Sequence, residues 1–267
     1  QQMEALGAIP KLMDAMLGLS SKGGDAPEVS AGSRGAAGAF LKGARDMVEN
    51  AQLLAPRSPF NVTITAGRTY AARSLPLSDA KAIAKATGAK INDIVMAVCG
   101  GALRSYLRQK KALPKKPLVA FVPISMRELG NTEIRNQVFG MNCAIGTHLA
   151  DPVERLKSIV EASSRSKTIA GMTKDVAPKD FSLLGAPLLL PGLMSLYGRL
   201  GLADVLPQTV NLTISNNMGP PVALYCAGAK VTALYPVSIP VHGIALNITV
   251  QSYQNALDFG VTCDARA

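Results

Sequence analysis

Hydrophobic residues along this chain recur at two spacings. Ile91, Ile94, Val95, Val98, Ala102, Leu103 and Leu107 follow helical steps, which predicts an amphipathic helix with one apolar face. Asn92 is the expected N-cap, with Ile91 before it and Met96 after it as a hydrophobic staple. A buried helix would then open with an amide, the Asp93 carboxylate and free backbone N–H groups in one place. That arrangement reads either as plain capping or as one wall of a site.

Other stretches extend the pattern. Asn61–Thr65 and Arg68–Ser74 alternate and predict strands, and Ser78 caps a short helix over 79–87 ended by Gly88. Leu118–Pro123 reads as a buried strand, 128–137 as a polar loop and Val138–Leu149 as a second strand. Asp151-Pro152-Val153-Glu154 places an N-cap acid, a proline at N1 and a glutamate at N3, so a helix starts there and runs to about 170. Its apolar face is expected to hold Val153, Leu156, Ile159 and Val160. Strands are expected at 210–216, 223–235, 243–252 and 256–263, with Asn255 turning between the last two. This order predicts an α/β fold, a sandwich with a mixed sheet.

Before residue 60 the pattern fades. Residues 1–19 read as a helix broken near Gly7 and Pro10, and 20–45 are rich in Gly, Ala and Ser, the composition of a flexible linker. The division expected is a helix plus linker over 1–59 and a folded lobe over 60–267. The first residue is Gln1, within a helical pattern, which reads as a piece of a longer product. Residues 181–206 are the most apolar segment, but Pro187, Pro191 and Arg199 interrupt it, against a membrane span. They read as a pair of buried helices or as a surface that touches lipid.

Composition narrows the chemistry. The chain has 267 residues, 48% hydrophobic, with no Trp, so its core is built from Ala, Val, Leu, Ile and Met. The formal charge is +10, with the Lys and Arg dispersed and few aromatics for stacking on bases. That favours an anionic small ligand or membrane surface over nucleic acid. Lys110, Lys111, Lys115 and Lys116 form the one dense cluster, which as a solvated loop needs no ligand. Cys99, Cys143, Cys226 and Cys263 are scattered without C-x-x-C pairing; together with the lack of a signal peptide this reads as a reduced, cytoplasmic protein. No metal-ligand, Walker A or Rossmann spacing is present.

Candidate chemistry is sparse. His148 and His242 are the two histidines. His148 ends a strand and reads as structural or exposed, whereas His242 sits where loop and strand meet and is a candidate base. Ser215 lies in Leu212–Pro220, LTISNNMGP, where a strand ends in hydroxyl and amide groups. Such an end can hydrogen-bond a developing oxyanion or a ligand, or it can be an Asn-rich turn. Arg127, after VPISM, could meet a phosphate or tie a loop to a carboxylate. Asp258 reads as a strand-turn residue.

Three segments together resemble one family. Asn92-Asp93-Ile94-Val95-Met96-Ala97 is similar to the N-D-V-V-L-A motif of bacterial wax ester synthase/acyl-CoA:diacylglycerol acyltransferases. VPISMR (122–127), with Asn136 and Gly140, resembles their V-P-V-S-x-R strand and loop. ISNNMGP (214–220) and residues 235–264 resemble their C-terminal stretch. The family's H-H-x-x-x-D-G motif, which belongs to its N-terminal half, is absent. The resemblance therefore implies the C-terminal lobe of a chloramphenicol-acetyltransferase-like, CoA-dependent acyltransferase fold, related to peptide-synthetase condensation domains. It implies two lobes around a tunnel, and a histidine of the missing lobe that deprotonates an acceptor hydroxyl so that it attacks an acyl-CoA thioester.

On the same resemblance, Asn92 is a supporting catalytic residue, and Asp93 accompanies it in a mainly structural role. Asp93, Ser215, Asn216, His242 and Arg127 are the expected substrate-binding residues. Acyl-CoA is a substrate and no metal or other cofactor is expected. The partners implied are the H-H-x-x-x-D-G lobe, a fatty alcohol or diacylglycerol, and a membrane or lipid-inclusion surface. The rival reading is a lipid- or acyl-CoA-binding module of the same fold without chemistry.

Overall fold

The computed structural model describes residues 54–125, 138–173, 195 and 197–267. The helix and linker expected over 1–59, the polar loop at 128–137, Arg127, Asn136 and most of 181–206 therefore lie wholly or mainly outside the described residues. Two compact units divide the chain: Gln1–Leu54 with Pro178–Pro207, and Ala55–Ala177 with Gln208–Ala267. In the second unit β1 (Arg68–Pro76) leads into α1 (Leu77–Thr87) and α2 (Ile91–Gln109). Then come β2 (Val119–Ser125), β3 (Val138–Ala144) and α3 (Pro152–Thr173). The short α4 (Leu202–Val205) belongs to the first unit. The second unit continues with β4 (Leu212–Asn217), β5 (Tyr225–Cys226), β6 (Ala229–Lys230), β7 (Leu246–Tyr253) and β8 (Ala256–Asp264).

Six strands form one mixed sheet in the order β1-β8-β7-β4-β2-β3. The inner strands β7, β4 and β2 run parallel, and the outer pairs are antiparallel. Alternation explains the inner strands: Leu212 and Ile214 of β4 are fully buried while Thr213 and Ser215, which alternate with them, are not. The Leu212 and Ile214 face joins Val95, Met96 and Leu107 of α2 and Ile159 of α3 in one core, so the helices cover that face.

The other face is crossed by an extended strap over 231–241. Asp258, fully buried in mid-strand rather than at a turn, accepts from the Leu234 N–H at 2.8 Å and the Ser74 hydroxyl at 2.6 Å. Ser238 Oγ lies 2.5 Å from Thr249 Oγ1, and Asn247 Nδ2 donates to Ile239 O. The strap passes close over Gly260, since a Cβ there would overlap the Pro236 carbonyl. The long strand expected over 223–235 is thus a short hairpin of two two-residue strands, β5 and β6, followed by the strap. Pro236 and Pro240 cannot donate to a ladder, which leaves side chains to anchor this segment.

Other expectations need smaller corrections. Asn61–Thr65 forms no strand; its polar groups turn inward, with buried Asn61 donating to Val210 O and Gly243 O. Strand β3 ends at Ala144 rather than Leu149, because Gly146 turns the chain at φ +61°. The Asp151 cap is as expected, its Oδ1 accepting from the N–H groups of Val153 and Glu154. Val153, however, is exposed, as are Val98 and Ala102 of α2. Gly88 ends α1 in the left-handed region at φ +72°. No helix among the described residues is long and apolar enough to cross a membrane.

Candidate active site

The opening of α2 is built around Asp93 rather than Asn92. The N-cap is Lys90, whose N–H donates to Asp93 Oδ2 at 3.0 Å. The expected N-cap, Asn92, is therefore the second residue of the helix. The staple shifts with the cap, to Ala89 and Ile94, both buried. Asp93 is itself buried, and its Oδ1 accepts from the Ser163 hydroxyl of α3 at 2.8 Å. One carboxylate thus caps α2 and ties it to α3. Asn92, half-buried beside it, makes no side-chain hydrogen bond among the described residues, so its amide is uncommitted.

Topology places this opening relative to the strands. Asp93 meets Ser163, whereas a Cβ at Gly101 would press on Arg155, so α2 and α3 run antiparallel. Ser166 of α3 donates to Asn142 O of β3, and Gly100 lies against Ile145 O. The N-terminus of α2 therefore points to the end where β2 finishes and β3 begins. Because β4 is parallel to β2, the same end carries Ser215, Asn216 and Asn217. This is the carboxyl end of the parallel strands, where open α/β sheets commonly bind ligands.

Strand alternation separates two residues that the sequence groups together. Asn216 follows Leu212 and Ile214 on the helix-covered face, the same side as Asn92. Ser215 faces the other way, level with Thr249 and beneath the strap. Both are half-buried and neither makes a side-chain hydrogen bond among the described residues. Beyond them the chain turns sharply: Gly219 N–H donates to Ser252 Oγ at 3.1 Å, and a Cβ there would overlap the Ser252 carbonyl.

The histidines lie elsewhere. His242 Nδ1 accepts from the Ile64 N–H at 3.2 Å, next to Gly243, whose carbonyl shares Asn61 with that of Val210. That is the start of β4, five residues from Ser215 and about 17 Å away along an extended strand. His242 therefore does not join the Asn92–Asn216 end, and holding a backbone N–H is its observed work. His148 is exposed, its carbonyl accepting from Arg104 Nη1 at 3.0 Å. Among the described residues no cluster of His, Cys, Asp or Glu could hold a metal ion. Burial pushes the Cys99 thiol up to about 12; burial and then the nearby Asp93 charge push Cys143 up to about 11. Neither is an available nucleophile.

The model of the wax ester synthase/diacylglycerol acyltransferase catalytic domain matches residues 8–95, and that of the WS/DGAT C-terminal domain matches 135–267. The chain belongs to the wax ester synthase/diacylglycerol acyltransferase family. A putative diacylglycerol O-acyltransferase of Mycobacterium tuberculosis is 40% identical over 222 residues, covering 80% of this chain and 43% of the relative. The O-acyltransferase WSD of Acinetobacter baylyi is 38% identical over 212 residues, 78% of this chain and 44% of its own.

Among solved structures, the wax ester synthase/diacylglycerol acyltransferase of Marinobacter aquaeolei VT8 superposes with a TM-score of 0.61 at 30% identity. It covers 92% of this chain and 54% of that one. The fold is therefore the mixed α/β architecture of that CoA-dependent acyltransferase family. The chain spans about half the length of the relatives it matches. The catalytic-domain model ends inside the first turns of α2, just past Asn92 and Asp93, although α2 packs as one piece with α3.

Sequence reasoning passed over Ser163, the partner that fixes Asp93, and the Gly100-Gly101 pair that lets α2 approach β3 and α3. Two adjacent glycines inside a helix carry a signal, since each costs about 1 kcal/mol unless close packing requires it.

Proposed function

We propose that this chain forms the C-terminal half of an O-acyltransferase that moves a long-chain acyl group from acyl-CoA to a fatty alcohol or a diacylglycerol. The product is a wax ester or a triacylglycerol. The observation that carries this reading is the uncommitted amide of Asn92, held at the mouth of α2 by the Asp93 clamp. It shares one end and one side of the sheet with Asn216. In this reading Asn92 orients the reacting groups and Asn216 contacts substrate nearby. The base is a histidine of the H-H-x-x-x-D-G half, which the chain does not carry. The engagement of His242 Nδ1 by Ile64 and the exposure of His148 support a base from elsewhere.

The chemistry follows from the parts. A general base takes the proton of the acceptor hydroxyl, the oxygen attacks the thioester carbonyl, and CoA leaves as the thiol. No covalent enzyme intermediate is needed, and the deeply buried thiols of Cys99 and Cys143 offer none. Walls of Ala, Val, Leu and Met suit an acyl chain, and the positive net charge suits CoA. We place this activity in the cytoplasm, at the membrane or at lipid inclusions.

The test is product analysis. This chain is co-purified with the H-H-x-x-x-D-G half of a relative and supplied with labelled palmitoyl-CoA plus hexadecanol or a diacylglycerol. Labelled ester resolved by chromatography is expected. Tight binding of palmitoyl-CoA with no ester in either mixture would replace the reading with that of a lipid-binding module.

A further inference from the structure

An open groove of about 520 Å³ runs beside the carboxyl-terminal half of α2, at the end of the sheet opposite Asn92. Gly101, Arg104, Ser105, Arg108, Gln109 and Ala150 line it. Three guanidinium groups gather there. Arg104 Nη1 donates to the carbonyls of Thr147 and His148 at 2.8 and 3.0 Å. Arg155 of α3 is buried, and its Nη2 donates to Leu149 O and Ala150 O at 3.0 Å each. Its Nη1 lies so close to α2 that a Cβ at Gly101 would sit 2.9 Å away. Its buried Nε has no hydrogen-bond partner among the described residues.

Among the described residues, positive charge here exceeds its local compensation. Burial and then the charge of Arg104 lower the Arg155 pKa, and Asp151 opposes them. Yet Asp151 Oδ1 is occupied in capping α3. Arg108, one turn beyond Arg104 on the same helix face, is exposed, and its guanidinium makes no hydrogen bond among the described residues; nor does the Ser105 hydroxyl. A helix C-terminus attracts cations, which would account for Arg108 alone. It does not account for Arg104 and Arg155, which lie further inside and repel each other.

We propose that this groove is a phosphate-binding site. Arg108 and Ser105 donate directly to the anion, while Arg104 and the buried Arg155 supply the field that draws it in. Two sources present that chemistry: the 3′-phosphate of a CoA thioester and the headgroup of an anionic phospholipid. The CoA source rests on the acyl-transfer reading; the phosphate site does not.

The experiment reads binding, not turnover, so it stands or falls apart from the proposed activity. Titration calorimetry at low salt compares CoA, dephospho-CoA lacking the 3′-phosphate, and pyrophosphate. Flotation compares phosphatidylcholine vesicles with and without phosphatidylglycerol. The proteins are the wild-type chain, Arg108→Gln, Arg108→Lys and a control, Lys81→Gln on the exposed side of α1. At least one phosphate probe should bind the wild type. Arg108→Gln should weaken it about tenfold, as expected for losing a charge-assisted contact. Arg108→Lys should recover part of the loss, and Lys81→Gln should change nothing. Preference for CoA over dephospho-CoA assigns the nucleotide source; capture by the anionic vesicles assigns the lipid. The proposal is overturned if no probe binds the wild type, if Arg108→Gln binds undiminished, or if Lys81→Gln loses as much.

Discussion

Removing the Asp93 carboxylate with Asp93→Ala breaks two bonds at once. The Lys90 N–H loses its acceptor at an exposed turn, where water can replace it, so that loss costs about 1 kcal/mol. The Ser163 hydroxyl is buried and loses a charged acceptor, but it can fall back on Val160 O, 3.3 Å away. That second loss costs about 1–2 kcal/mol. Together the destabilisation is about 2–3 kcal/mol, which lowers the melting temperature by about 4–12 °C in a domain of this size. Thermal unfolding followed by circular dichroism measures it. Ser163→Ala should cost about half as much, and the double variant less than the sum of the two, because they share one bond. An Asp93→Ala protein melting within about 1 °C of wild type would refute the clamp. So would strict additivity with Ser163→Ala.

Asn92→Ala leaves the Lys90 cap and the Asp93 clamp intact, so melting should move by less than about 1 °C while kcat of the reconstituted enzyme falls at least tenfold; a large melting shift would reassign Asn92 to structure. Cys226 is the exposed thiol and should react with a maleimide at pH 8 within minutes, whereas Cys99 and Cys143, pushed up to about 12 and about 11, should react only on unfolding, read by mass spectrometry. Burial alone would raise the Asp264 carboxyl. Hydrogen bonds from the Thr65 and Arg266 backbone and the Thr65 hydroxyl outweigh it and hold the carboxyl below the ordinary range. Its contribution is therefore present above about pH 4 and lost as pH falls through the depressed value. Asp264→Asn should lose stability at pH 7 and flatten that acid limb in urea titrations.

How legible each part was depends on the kind of force that decides it. The Asp151 start of α3 was readable because acid, proline and glutamate all act within one turn. The strand at 119–125 was readable as a continuous apolar run, and those at 246–253 and 256–264 because apolar and polar residues alternate along them. The strap at 231–241 was not, since its apolar residues look strand-like, and side-chain anchors from other strands, among them Asp258, Thr249 and Asn247, hold it off the ladder. The strand expected at Asn61–Thr65 failed for a similar reason: Asn61 is drawn inward by carbonyls some 150 and 180 residues away. At the site, the α2 opening was located but its cap was misplaced by two residues. A lysine at the N-cap carries no signal of its own, and Asp93 reaching back was the better clue. The division of Ser215 from Asn216 across the sheet was within reach of the two-residue period alone.

The central claim is that this half supports acyl transfer but cannot begin it. The most direct measurement is CoA release from palmitoyl-CoA in the presence of hexadecanol, followed with a thiol reagent. It is run for the chain alone and for the chain joined by the H-H-x-x-x-D-G half of a relative. The account predicts no release above background from the chain alone and sustained turnover once the second half is supplied. Sustained turnover by the chain alone would contradict it and return His242 and His148 to the search for the base.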